Sequence, residues 1–113
     1  MNDIKQHWIE SREHWSALAE GMKDSMSIVF NLQDLYKNLS NDEKLIVHGI
    51  LAEWLLSEDS ALRYEASYLI SEEHIKSLRD VVEKAIPKAE GRKQPEAKYE
   101  VLRLKRILSE LEY

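Results

Sequence analysis

Apolar residues recur every three or four positions along most of the chain, which is the spacing of one face of an α-helix. This pattern predicts a first helix over residues 3–20, ending near Gly21, and a second over residues 25–39. The predicted apolar faces consist of Ile4, Trp8, Trp15, Leu18 and Met22 in the first helix and of Ile28, Leu32, Leu35 and Leu39 in the second.

A third helix is predicted to begin at SNDE, residues 40–43. Ser40 and Glu43 have the spacing of a capping box, in which each side chain accepts a hydrogen bond from a backbone N–H at the start of the helix. The body of the helix, LIVHGILAEWLL, is apolar on nearly all sides, so we expect it to be the central element, packed between neighbours. Gly49 within it costs about 1 kcal/mol relative to alanine, and we attribute it to another helix that crosses closely there.

Two more helices are predicted after this one. Asp59 or Ser60 is expected to cap a fourth helix that ends at about Ile70, and Ser71 to cap a fifth that stops at Pro87. The first turn of the fifth helix would then contain two acidic residues, Glu72 and Glu73. Negative side chains at that position stabilise a helix through its dipole.

The segment KAEGRKQ, residues 88–94, is predicted to be a loop, with Pro95 as the first residue of a last helix. The apolar face of that helix is Val101, Leu104, Leu108 and Leu111. Because the connections between the third, fourth and fifth helices are very short, consecutive helices are expected to be antiparallel neighbours. The predicted fold is therefore all-α, with five or six helices arranged either as a bundle or as a short solenoid.

Within SEDSALRYEASYLI, the order of Asp59, Leu62, Arg63, Ala66 and Leu69 resembles the first helix of a HEAT-type repeat. The following segment, EEHIKSLRDVVEKAI, would be the second helix, so the resemblance covers residues 57–86. It implies a protein-binding fold in which polar positions help neighbouring repeats to stack. The spacing also allows an ion pair between Arg63 and Asp59, one turn apart.

The composition describes a protein of 113 residues, of which 33% are charged and 43% hydrophobic, as expected of one folded domain spanning residues 1–113. No cysteine, no apolar leader and no run of roughly 18 apolar residues is present, so we expect a cytoplasmic protein without a membrane span. The net charge of −5 disfavours binding to nucleic acid. It suits a basic protein partner, although a charge of this size is also what keeps a small domain in solution. Small, acidic helical proteins of this kind are also similar to the immunity proteins that bacteria keep beside polymorphic toxins, some of which are HEAT-like.

The sequence contains few candidates for chemistry. His7, Glu10 and His14 fall on one helix face and could begin a metal site, although a solvated polar face is the favoured interpretation, so no cofactor is predicted. His48 is interpreted as a hydrogen-bonded core or interface residue rather than as a buried base. No strained nucleophile and no glycine-rich phosphate loop is present, so we do not expect an enzyme.

Aromatic and acidic residues around the fourth helix form the predicted binding surface. Its members are Trp54, Glu58, Asp59, Tyr64, Glu65, Tyr68, Glu72 and Glu73, although core packing explains Trp54 at least as well. Tyrosine and tryptophan supply large contact areas at low entropic cost and dominate binding hot spots. A basic stretch near the end of the chain could form a local patch for nucleic acid or for an acidic partner, but the favoured interpretation is a solvated helix face whose cations pair with Glu96, Glu100 and Glu110. Its members are Arg92, Lys93, Lys98, Arg103, Lys105 and Arg106.

These observations predict a stoichiometric protein-binding module, an immunity protein or inhibitor that neutralises a basic toxin domain through an acidic helical face. The alternative is a regulatory or scaffold domain that forms a homodimer through a partly exposed third helix. A metal-dependent enzyme that uses His7, Glu10 and His14 is the third hypothesis.

Overall fold

The computed structural model describes residues 4–22 and 26–112, and the side chains of residues 4–18 and 26–112. Over these residues the chain is all-α, as predicted, and contains no strand. The six helices are α1 (Ile4–Met22), α2 (Met26–Lys37), α3 (Asn41–Leu55), α4 (Ser60–Glu72), α5 (Arg79–Glu90) and α6 (Ala97–Leu111). A short 3₁₀ helix, Lys76–Leu78, precedes α5.

The chain divides into two compact units, residues 1–50 and residues 51–113, with the division inside α3. In the first unit α1 packs against α2. The fully buried side chains there are Trp8, Val29, Leu32 and Val47. Leu18, predicted to be on the buried face of α1, is exposed, and the side chain of Met22 lies outside the described residues. The expectation of a single domain stays a prediction.

The capping box at the start of α3 is confirmed. The backbone N–H of Glu43 donates to Ser40 Oγ at 3.2 Å, and the backbone N–H of Ser40 donates to Glu43 Oε1 at 2.9 Å. These two bonds satisfy donors that have no partner within the helix, which explains why the helix begins here.

The expectation that α3 is packed on nearly all sides is wrong. Leu45 is 64% and Ile46 42% exposed, and the buried positions form one stripe that includes Val47 and Ile50. A Cβ added to Gly49 would meet no atom of the described residues within 4 Å, so the glycine does not mark a close crossing. Some apolar side chains of α3 therefore remain exposed to solvent instead of packing in the core.

In the second unit α6 packs against both α5 and α4. The core of this unit contains Ala66, Leu69, Ile70, Val82, Ala85, Ala89, Leu104, Ile107 and Leu111. Asp59 rather than Ser60 caps α4, since Asp59 Oδ1 accepts hydrogen bonds from the backbone N–H groups of Ala61 at 2.9 Å and Leu62 at 3.4 Å.

The predicted start of the fifth helix is wrong. Ser71 lies inside α4, where its hydroxyl donates to Glu110 Oε2 at 3.0 Å, and α4 continues to Glu72. The helix ends in a Schellman motif: the N–H of Ile75 donates to the carbonyl of Ile70, and the N–H of His74 to the carbonyl of Ser71. His74 takes the left-handed position, with φ 52°, that glycine usually occupies.

Two further boundaries differ from the prediction. Pro87 lies inside α5, which continues to Glu90, because the Pro87 carbonyl still accepts a hydrogen bond from the N–H of Gly91 at 3.1 Å. Helix α6 begins at Ala97, so Pro95 belongs to the turn before it rather than to its first position. The loop therefore covers residues 91–96 instead of 88–94.

Candidate protein-binding surface

The centre of the candidate surface is a pair of tyrosines one turn apart on α4. The ring centroids of Tyr64 and Tyr68 are 6.4 Å apart, with the planes inclined by 35°. Tyr64 is 36% exposed and Tyr68 is half-buried, whereas Ala66 and Leu69 of the same helix face the core. The pair offers a continuous aromatic area on the outside of the second unit.

Acidic side chains lie at both ends of α4. Glu58 and Asp59 precede the helix and Glu72 closes it, and all three are exposed, while Glu73 is half-buried. Burial raises the pKa of Tyr68, and the nearby negative charge of Glu72 raises it further. The Tyr68 hydroxyl therefore keeps its proton at neutral pH and remains a hydrogen-bond donor.

Two predicted members of the surface lie in the interior instead. Glu65 is only 3% exposed and Trp54 is buried. Sequence spacing shows which residues share a helix face but not what lies opposite that face, so the burial of Glu65 is unexpected, whereas Trp54 follows the core alternative. The predicted positions of Glu72 and Glu73 are wrong as well. These residues lie at the carboxyl end of α4 and not in the first turn of a following helix.

A buried ion-pair network connects α4 to α6. Arg63, 3% exposed, donates from Nε to Glu100 Oε1 of α6 at 2.7 Å and from Nη1 to the carbonyl of Ser57 at 2.9 Å. Arg92 lies 3.7 Å from the same Glu100 oxygen. Arg63 thus pairs with Glu100 rather than with Asp59, the partner that the i, i+4 spacing predicted.

Basic side chains also stabilise the end of α3. Arg92 Nη2 donates to the Ser57 carbonyl at 3.4 Å, and Lys88 Nζ to the Leu56 carbonyl at 3.3 Å. Cations next to the last carbonyls of a helix favour its dipole. The turn between α3 and α4, which precedes the tyrosine pair, is held in this way by residues from later in the chain.

Arg103 of α6 belongs to the basic stretch that the sequence predicts near the end of the chain, but its contact with the tyrosine pair is not evident from the sequence. Its guanidinium carbon lies 5.2 Å from the centroid of the Tyr64 ring, a cation–π arrangement. Its Nε is buried and has no hydrogen-bond acceptor among the described residues. Burial lowers the pKa of Arg103, and the charge of Glu100 partly offsets this effect.

The other members of the basic stretch follow the favoured interpretation only in part. Arg106 lies 3.6 Å from Glu110, one turn later, and Lys98 packs over the Tyr99 ring at 5.2 Å. Lys93 and Lys105 are exposed. Helix α6 thus carries both cations and carboxylates, so its outer face has mixed charge.

The histidines do not form a metal site in the part of the chain that the structure describes. No group of three or more His, Asp or Glu side chains there is arranged to hold a metal ion, and Glu10 accepts a hydrogen bond from Gln6 at 2.8 Å. His48 Nε2 lies 2.8 Å from the Tyr36 hydroxyl, which agrees with its interpretation as a hydrogen-bonded residue. Burial lowers the pKa of His48, and the nearby charge of Lys44 lowers it further.

Comparison with known proteins finds no matching family and no significantly similar curated protein or solved structure. No helix among residues 4–22 and 26–112 is long and apolar enough to cross a membrane. The function must therefore be argued from the surface of the molecule itself.

Proposed function

We propose that this protein is a stoichiometric protein-binding module of the immunity-protein or inhibitor type, which neutralises a cognate toxin by covering part of its surface. The contact region is the α4 surface, defined as Tyr64 and Tyr68 with the exposed carboxylates of Glu58, Asp59 and Glu72. The observation that carries the proposal is the tyrosine pair, with Tyr64 exposed and Tyr68 half-buried, and the negative charge at both ends of the same helix.

The two kinds of side chain have different roles in such a surface. Tyrosine rings lose little conformational entropy on binding and bury a large area, so they supply most of the affinity. Carboxylates at the rim, together with the net charge of −5, attract a basic partner and speed the encounter. Glu65 and Trp54 are buried and contribute to folding instead.

The test is capture of a partner by the wild-type chain and by a double variant, Tyr64→Ala with Tyr68→Ala. We expect the wild type to retain one specific partner from its native host, in a one-to-one complex by native mass spectrometry, and the double variant to lose it. The captured protein, produced alone, should be toxic to cells and become harmless when the wild-type chain is coexpressed.

Phe30→Ala provides the matched control, since Phe30 is an aromatic residue of α2 that is 52% exposed and lies outside the α4 surface. This variant should capture the partner as the wild type does. Equal capture by the double tyrosine variant, with unchanged helical content, would show that the α4 surface is not the contact region.

Self-association is the second candidate function, and the exposed face of α3 favours it. Leu45 and Ile46 are exposed on this helix, and the space next to Gly49 is open among the described residues. A second copy packed on this face would remove about 25 cal/mol of unfavourable hydration per Å² of apolar surface. Sedimentation velocity at micromolar concentrations separates the two candidates: a dimer that Leu45→Glu dissociates supports self-association, and a strict monomer excludes it.

A further inference from the structure

Two open hollows lie between α4 and α6, and Tyr64 and Arg103 line both of them. The first hollow is also lined by Ser60, Tyr99 and Glu100, and the second by Tyr68, Glu72 and Arg106. Together the two hollows form a groove between α4 and α6. Arg103 lies at its centre, next to the tyrosine pair of the α4 surface. Its location gives a partner that binds this surface direct access to a guanidinium group.

The charge of Arg103 is not matched by an ion pair within the described residues. Glu100, the carboxylate one turn earlier, is bound by Arg63 at 2.7 Å and approached by Arg92 at 3.7 Å. Glu110 is approached by Arg106. Arg103 instead packs on the Tyr64 ring, and its Nε has no acceptor there. A half-buried guanidinium with no carboxylate of its own is destabilising, and a partner group that accepts hydrogen bonds from its terminal nitrogens would offset part of this cost. The buried Nε itself is out of a partner's reach.

The surroundings favour a singly charged, planar acceptor. A carboxylate matches the two terminal N–H groups of a guanidinium and forms paired hydrogen bonds with them. A phosphate carries up to two negative charges, and the carboxylates of Glu72 and Glu100 in the two hollows would repel it more strongly. The exposed rings of Tyr64 and Tyr99 also border these hollows, which suits a side chain on a protein surface.

We infer that Arg103 is the recognition point for a carboxylate side chain, from aspartate or glutamate, on the protein partner. The terminal nitrogens of the guanidinium donate to the two carboxylate oxygens, while the Tyr64 ring holds the guanidinium in place and packs against the same partner residue. The inference rests on the proposed function, because it names the partner group that the α4 surface receives. A predominantly basic partner would thus place one acidic residue at this point, which adds specificity to a contact otherwise driven by opposite charge.

The test uses the full chain alone, with blocked amino acids as probes. N-acetylglutamate amide and its neutral counterpart, N-acetylglutamine amide, are titrated into ¹⁵N-labelled protein at constant ionic strength, and the side-chain signals of Arg103 are followed by NMR. We expect a saturable shift with the glutamate probe and no saturable shift with the glutamine probe. Arg103→Gln should abolish the response of the neighbouring Tyr64 signals, and Arg103→Lys, which keeps the charge but not the planar fork, should weaken it.

Lys105→Gln is the matched control, because it removes one positive charge from an exposed position of the same helix outside both hollows. It should bind the glutamate probe as the wild type does. An equal response to both probes, no response to either, or a stronger response to inorganic phosphate would overturn the inference. Since no partner is needed here, failure of the probe experiment and failure of partner capture are separate results.

Discussion

Glu100 is the residue on which the buried charges of the second unit depend. It accepts a hydrogen bond from Arg63 at 2.7 Å and lies 3.7 Å from Arg92, and it is itself 12% exposed. Opposite charges in such a setting offset the cost of removing each from water, but a single charge left behind is strongly destabilising. The network therefore contributes less to net stability than to the fixed position of α4 relative to α6.

Glu100→Gln should lower the free energy of unfolding by about 3–5 kcal/mol, because Arg63 would keep a buried charge without a carboxylate. Urea denaturation followed by circular dichroism measures the change. Glu96→Gln, an exposed residue four positions earlier, should change stability by less than about 0.5 kcal/mol. A similarly small loss of stability for Glu100→Gln would mean that water can solvate the charge of Arg63 once the carboxylate is gone.

The pair of Tyr36 and His48 should make stability depend on pH. Burial and Lys44 hold the pKa of His48 below its ordinary value of 6.5 in the folded protein. As the pH falls below 6.5, the unfolded chain takes up a proton at this residue before the folded chain does. The contribution to stability is therefore complete above the unfolded pKa and is lost as the pH falls through the folded pKa.

His48→Gln should remove this component of the pH dependence while keeping a polar side chain opposite the Tyr36 hydroxyl. The measurement is the free energy of unfolding of both proteins from pH about 8 to about 5, across the range in which histidine titrates. The difference between wild type and variant should change in favour of the variant as the pH falls. A constant difference would show that His48 has the same pKa in the folded and unfolded chain.

At the scale of elements, the end of α4 shows how a helix boundary can be hidden from sequence reasoning. The Schellman motif needs a residue in the left-handed conformation, and glycine usually provides it. Here His74 occupies that position, and the apolar residue after it, Ile75, is buried. Because no glycine marks the boundary, the sequence predicts that the fifth helix starts at Ser71, whereas α5 begins at Arg79.

His74→Gly should stabilise the protein by about 0.5–1 kcal/mol. An L-residue in the left-handed conformation costs roughly 1–2 kcal/mol, and the added freedom of glycine in the unfolded chain cancels part of the gain. Thermal and urea denaturation provide the measurement. His74→Ala, which keeps the Cβ, is the control and should bring no such gain; equal stability of the two variants would argue against strain at this position.

At the scale of the whole molecule, the division at Ile50 and Leu51 lies within one continuous helix, α3. Unfolding of either unit would remove hydrogen bonds of that helix that the other unit also uses. We therefore expect the two units to unfold together, as a single cooperative domain of 113 residues. Each unit has its own internal packing, and the continuous backbone of α3 joins the two.

Native-state hydrogen exchange tests this expectation without any substitution. The most protected amides of α2, in the first unit, and of α6, in the second, should exchange with the same free energy, equal to that of global unfolding. Urea denaturation supplies the global value for comparison. Exchange of one unit at a clearly lower free energy would show that the units are separate folding domains.

The sequence by itself determined the helical class, the approximate positions of the helices and two of their starts. These depend on local physics: the 3.6-residue period of apolar side chains, the capping box of Ser40 and Glu43, and a cap at Asp59 or Ser60, of which the structure selects Asp59. It also located the tyrosine pair and the exposed carboxylates around α4. Such features can be predicted because neighbours in sequence are sufficient to produce them.

Only the tertiary structure decided which apolar or charged residues are buried. Leu45 and Ile46 are exposed despite their chemistry, and Glu65 is buried despite its charge, because burial depends on the element that lies opposite. The pairing of Arg63 with Glu100 joins residues 37 positions apart, and the contact of Arg103 with Tyr64 likewise joins α6 to α4. A local pattern contains no information about such distant partners, so the candidate recognition groove became visible only once α4 and α6 lay side by side.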